Sequence, residues 1–218
     1  MRLTLLCALA LACAACGQPV ASTPSATPAA PQDLTINPAR IERARDALPD
    51  GYEVSGYTGA PAPFAIWGLR DHPVSEPAEC AVLGAPAVVA STARGWSASG
   101  PGGIVYAVVA DAESAAPDRA LLEQCRQWTA AAGHTTGTVT GLPGPAIEAA
   151  DTVGMNAETV TVVEGGTETR SQAATFVAHL GDHLCFVVVV TDPGSPAPAL
   201  DSAFAAELLV ETVSTLRG

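Results

Sequence analysis

The sequence predicts an α+β domain: a twisted, mostly antiparallel sheet packed with three to four helices. Strand-like stretches fall in groups behind helical ones, tight-turn signals join neighbouring strands into hairpins, and two helices carry clear aspartate N-caps. Asn37 and Pro38 open the first helix as N-cap and first helical residue, and Pro49-Asp50-Gly51 stops it after about Leu48. Tyr52–Tyr57 and Pro63–Leu69 read as strands, and a short helix after Ser75 carries Cys80. Gly95–Ser99 and Ile104–Ala110 read as two strands around a Gly-Pro-Gly-Gly connection.

Asp118 caps a helix written RALLEQCRQWTAAAG. Its stripe is Leu121, Cys125, Trp128 and Ala132, and Gly133 ends it. Short strands are expected near Thr135–Thr140 and Glu158–Val163. In the hairpin TFVAHLGDHLCFVVVVT, Gly181-Asp182 suits a type II′ turn. Its second strand is apolar on both faces, with Leu184, Phe186, Val188 and Val190 on one and Cys185, Val187 and Val189 on the other. Such a strand is central and covered on both sides, or lines a cleft. Asp201 caps a last helix to Arg217 with Ala206, Leu209, Val210, Val213 and Leu216 inward.

The first thirty-three residues read differently. Arg2 and the apolar run Leu3–Ala12 match a signal peptide and are too short to span a bilayer core of roughly 30 Å. Small residues then lead into Cys13 and Cys16, as in a bacterial lipobox. Cys16, in Ala-Ala-Cys-Gly, is the expected lipidation site because the polar tail starts directly after it; Cys13 is the runner-up. Residues 1–15 are then the signal peptide and 16–33 an Ala/Pro/Ser/Thr tether that buries too little apolar surface to fold. At about 3.1 Å per residue the tether reaches roughly 45 Å. Residues 34–218 form a single domain. The expected location is the outer face of the cytoplasmic membrane, with the membrane as partner through the lipid anchor.

The 218 residues carry ten basic groups, all arginine, against 22 acidic ones, for a net charge of −12. That balance repels phosphate backbones and excludes nucleic acid as a partner. Cys80, Cys125 and Cys185 remain beyond the lipobox. Outside the cytoplasm a disulfide is favoured. Cys80–Cys125 is the expected pair, since both lie on helical segments, Cys125 faces inward and Cys185 is deep in a strand.

No constellation for catalysis emerges. His179 and His183 are four apart; a two-residue hairpin loop sets them on opposite faces of the sheet, whereas a three-residue loop would bring both to one face. Gly-Trp-Ser-Ala-Ser misses the final glycine of a nucleophile elbow and leads into a strand. No metal and no cofactor are expected. Tyr57, Trp67 and Trp96, with Tyr52 and Phe64, cluster in the first half; they line a ligand cleft or are the largest members of the core.

LPDGYEV (48–54), GWSASGPGGIVYAVVA (95–110), CRQWT (125–129), VEGGTET (163–169) and VTDPGS (190–195) resemble a family of mycobacterial lipoproteins whose shared domain is of unknown function. The order of elements is more distantly similar to the extracellular sensor domain of PknH-type receptor kinases. That resemblance implies a twisted sheet with helices on one side and a ligand cleft. It implies two disulfides, of which this chain has cysteines for one. The expected function is a lipid-anchored envelope protein whose sensor-like domain binds a small-molecule or envelope ligand without catalysis. The alternatives are a lipid or glycolipid carrier and a cell-wall-acting enzyme.

Overall fold

The hairpin with the strongest sequence signal lies in the middle of the sheet. In the computed structural model, which describes residues 34–218, Gly181 takes φ +70° and turns β8 (Glu168–Leu180) into β9 (His183–Thr191), with Leu180 opposite His183. A left-handed φ is one that glycine adopts without a Cβ clash. The other strands are β1 (Glu53–Gly56), β2 (Val74–Glu76), β3 (Arg94–Gly100), β4 (Gly103–Asp111), β5 (Gln127–Ala132), β6 (Thr135–Leu142) and β7 (Asp151–Val162). They form one antiparallel sheet in the order β1-β3-β4-β9-β8-β7-β6-β5-β2. No helix among the described residues is long and apolar enough to cross a membrane.

Helical segments cover both faces of this sheet, not one, which is why β9 is apolar on both sides. On the first face lie the 3-10 helix Pro38–Ala47 and α4 (Ser202–Arg217). Ile41, Ala44, Leu208, Leu209, Val213 and Leu216 pack there on Trp96, Ala107, Phe176, Cys185 and Val187. The two helical segments are tied by Asn37 N–H donating to Leu216 O at 3.0 Å and by Arg40 Nη1 donating to Arg217 O at 2.8 Å. On the second face sit α1 (Pro63–Ile66), the turns Ala78–Cys80 and α2 (Ala81–Gly84), and α3 (Arg119–Gln124). Phe64, Trp67, Leu69, Leu83 and Trp128 bury themselves there against Val108, Met155, Phe186 and Val188. The Cys80–Cys125 disulfide pins the Ala78–Gly84 turns to the C-terminal end of α3, just before β5, and Cys185 is the free, buried thiol.

Several expectations are corrected. Pro63–Leu69 is not a strand: Pro63 starts a single helical turn, Trp67 N–H closes it on Pro63 O, and Gly68 at φ +82° ends it. A short apolar run fits either state, so neighbours decide. The helix after Asp118 stops at Gln124, and Gln127–Ala132 is β5. Trp128, Ala130 and Ala132 point inward with period two, and pairing with β6 outweighs the helix propensity of the alanines. The short helical segment expected after Ser75 is present and carries Cys80, and Ser75 itself lies in the short strand β2. In α4 the buried stripe is Ala205, Leu208, Leu209, Thr212, Val213 and Leu216; Val210 is 41% exposed and Ala206 is half-buried. The signal peptide, the tether, Cys13 and Cys16 lie outside the described residues.

Candidate functional site

A pocket of about 600 Å³ opens on the second face, where α1, the loop before it and the loop after it stand over β4. Its apolar wall is Ala62, Phe64, Ala65, Ile66, Leu69 and Ala85, and its polar groups are Tyr57, Tyr106, Arg70 and Asp71. Size, apolar lining and a few convergent polar groups are the usual features of a small-molecule site.

Local sequence explains how these groups meet. Tyr57 follows β1 and is anchored by its N–H to Gly95 O at 2.9 Å. Its hydroxyl donates to Ala60 O at 2.6 Å, folding the Gly59–Ala62 loop over its ring. Tyr106 alternates on β4 with buried Val105 and Ala107, so it faces the second side, and its ring meets Tyr57 edge-to-face at 6.0 Å. Phe64 rests on Trp67 and Trp128 at centroid distances of 5.5 and 5.8 Å. Gly84 lies beneath it, where an added Cβ would run into the Phe64 ring.

After buried Leu69 the chain takes two consecutive left-handed residues without glycine, Asp71 at φ 57° and His72 at φ 61°. Such backbone costs roughly 1–3 kcal/mol per residue and concentrates at functional sites. Burial raises the phenol pKa of both Tyr57 and Tyr106; the neighbouring Tyr106 raises that of Tyr57 further, and the Arg70 guanidinium lowers both. Both phenols therefore stay protonated at neutral pH and act as hydrogen-bonding groups.

Of the three aromatic residues expected at a cleft, only Tyr57 lines this one. Trp67 is 3% exposed and donates its Nε1–H to Thr175 Oγ1 at 2.9 Å, inside the core beside the pocket. Trp96 is fully buried on the opposite face and donates to Ile41 O at 3.0 Å. The two tryptophans are core residues. Arg70, Asp71 and Tyr106 were not singled out from the sequence. Tyr106 was legible as the bulky residue alternating within IVYAVVA, whereas Arg70 falls between the elements that the sequence suggests.

The remaining candidates are dispersed. His179 is 8% exposed; its pKa is lowered by burial, with Asp151 opposing. His183 is on the other face, its Nδ1 2.7 Å from Asp182 Oδ1 and its Nε2 3.5 Å from Asp111 Oδ1. No group of three metal-ligating side chains occurs among the described residues. Ser97 lies mid-strand in β3, between Ser55 and Tyr106, and not on a strand-to-helix elbow. A second cavity, of about 520 Å³, lies between the Ser99–Gly103 turn and the Asp192–Ala199 loop, and its lining lacks any aromatic side chain.

No curated protein matches the chain. Among solved structures it is similar to an uncharacterised Mycobacterium smegmatis protein, the Rv0999 ortholog. The TM-score is 0.62 at 19% identity, over 84% of this chain and 98% of that one. It is also similar to the extracellular domain of PknH from Mycobacterium tuberculosis, with a TM-score of 0.43 and 11% identity over 84% of this chain and 92% of that one. The first likeness is one of fold. Residues 37–217, nearly all of the described chain, match the family model for the domain of unknown function DUF5642, and the protein belongs to that family.

Proposed function

We propose that this protein is a lipid-anchored, exported domain that binds a small, partly apolar ligand in the Tyr57–Tyr106 pocket without transforming it. The observation that carries this reading is the pocket itself: an apolar floor fixed by a buried aromatic cluster, with two phenols and an arginine at its edge. The polar groups suit recognition better than proton transfer, because burial moves both phenols away from neutral pH and the lining carboxylate, Asp71, is exposed to solvent. A volume of about 600 Å³ lies in the range of small-molecule sites, which favours this reading over a carrier of multi-chain lipids. The disulfide and the leader favour export, since cystines persist in oxidising compartments.

Native mass spectrometry after incubation with a small-molecule extract of the cell envelope tests the binding. The wild-type domain should retain a non-covalent adduct that Ala65→Trp, which fills the pocket, does not. Identical adducts on both proteins would rule the pocket out. Attachment is tested on the membrane-extracted protein, whose N-terminal tryptic peptide should run from Cys16 to Arg40 with a diacylglycerol mass. A start at Cys13 would move the site, and an unmodified peptide would end the lipoprotein reading.

A further inference from the structure

Arg70 makes no hydrogen bond or ion pair with any described residue, and the Tyr106 hydroxyl makes no hydrogen bond with one. Arg40 and Arg217 bond backbone carbonyls and Arg45, Arg126 and Arg170 each meet a glutamate, while the exposed Arg43, Arg94 and Arg119 are, like the exposed Arg70, without such a partner among the described residues. What sets Arg70 apart is its place: it is the single basic group among the described residues that line the pocket, in a protein of net charge −12. Asp71 lines the pocket too, but no ion pair joins it to Arg70, and Arg70 is the charged side chain whose field reaches both phenols. Tyr57 is already a donor to Ala60 O, so Arg70 and Tyr106 are the side-chain donors left for a ligand. An acidic surface repels anions at long range, so an acid entering here needs a local partner of this kind.

On the reading that this pocket is the binding site, we infer that its ligand is an amphiphile with a single anionic headgroup. Arg70 and the Tyr106 hydroxyl hold the headgroup, and the Phe64–Ala65–Ile66–Leu69 wall holds an apolar tail. The headgroup chemistry is that of a carboxylate or a phosphate monoester. Arginine presents paired N–H groups to either. Arg70 is then the specificity-determining residue, separating acids from neutral molecules of the same tail.

Calorimetric titration with decanoate, decyl phosphate and decanol tests this, on the wild type, Arg70→Gln, Tyr106→Phe and Ala65→Trp, with melting curves to establish that each variant is folded. Both anions should bind the wild type more tightly than decanol. Arg70→Gln should weaken them about tenfold or more, the loss of one charge-assisted hydrogen bond, and leave decanol unchanged. The tighter of the two anions identifies a free acid or a lipid-type phosphate as the source. Ala65→Trp should abolish all binding. Equal affinity for decanol and the anions, or anion affinity unchanged in Arg70→Gln, overturns the acid assignment while leaving the pocket in place. Binding that persists in Ala65→Trp overturns the pocket itself. Binding of none of the three probes to the wild type also overturns the acid-amphiphile inference, whereas the pocket reading is then decided by the envelope-extract adduct.

Discussion

Replacing both Cys80 and Cys125 with alanine should lower the stability of the domain by about 4 kcal/mol. The cross-link joins residues 45 apart, and the chain-entropy relation for a loop of that length gives that figure as the freedom regained by the unfolded chain. The two side chains are 0% and 2% exposed, so alanine also leaves small cavities, which add to the loss. For a domain of this size the midpoint should fall by roughly 8–16 °C, at about 2–4 °C per kcal/mol. The double variant is the right one, because a single replacement leaves a buried, unpaired thiol. The effect reaches the pocket, since the pinned Ala78–Gly84 turns end at Gly84, under the Phe64 ring. Calorimetric melting of the wild type and the double variant, non-reduced, measures it. A midpoint within about 3 °C of the wild type would refute the reasoning, by showing that the unfolded chain gains little freedom when the bond is absent.

Three further outcomes are expected. Complete burial pushes the Cys185 thiol up to about 12, so a thiol reagent at pH 8 should leave the native protein unmodified and label one cysteine of the domain after unfolding in urea. Thr175→Val removes the acceptor for Trp67 Nε1–H inside the core and should cost roughly 1–3 kcal/mol in urea titrations; no change would mean that the indole finds another partner. His179 has a folded-state pKa below its ordinary value of 6.5, so the unfolded chain binds the proton first as pH falls. Its contribution is present above pH 6.5 and is lost as pH drops toward the folded value. Stability should therefore decline from pH 7 to pH 5, with a shallower decline in His179→Gln; identical slopes would remove His179 from the account.

Much of the fold was legible in the sequence, and the rest was hidden for identifiable reasons. The β8–β9 hairpin could be read because Gly181-Asp182 fixes the register and two-sided apolarity marks a central strand. Asp118 and Asp201 were legible as caps because each accepts the N–H three residues on, from Leu121 and Phe204. The phase of α4 was read about a residue away because Thr212 is buried, its hydroxyl satisfied by Leu208 O at 2.6 Å, and a polar residue does not announce an inward face. β5 was taken for helix because Trp128, Ala130 and Ala132 show period two only once β6 is in place beside them. The pocket was half legible. Tyr57 belongs to it, but Trp96 lies across the sheet from Trp67, and nothing in the spacing of two tryptophans says which face each takes. Arg70 and Tyr106 are 36 positions apart and come to line one pocket only once the segment around α1 is folded over the sheet.

The chain holds three tyrosines, and they make the central claim directly measurable. Tyr57 and Tyr106 line the pocket, while Tyr52 packs against the core on the opposite face and serves as the control. With ring-labelled tyrosine, the NMR signals of the domain can be followed as a small-molecule envelope extract is added. The account predicts that the Tyr57 and Tyr106 signals move together and saturate while Tyr52 stays fixed. Movement of Tyr52 alone, or an extract component that binds without shifting Tyr57 or Tyr106, would contradict it.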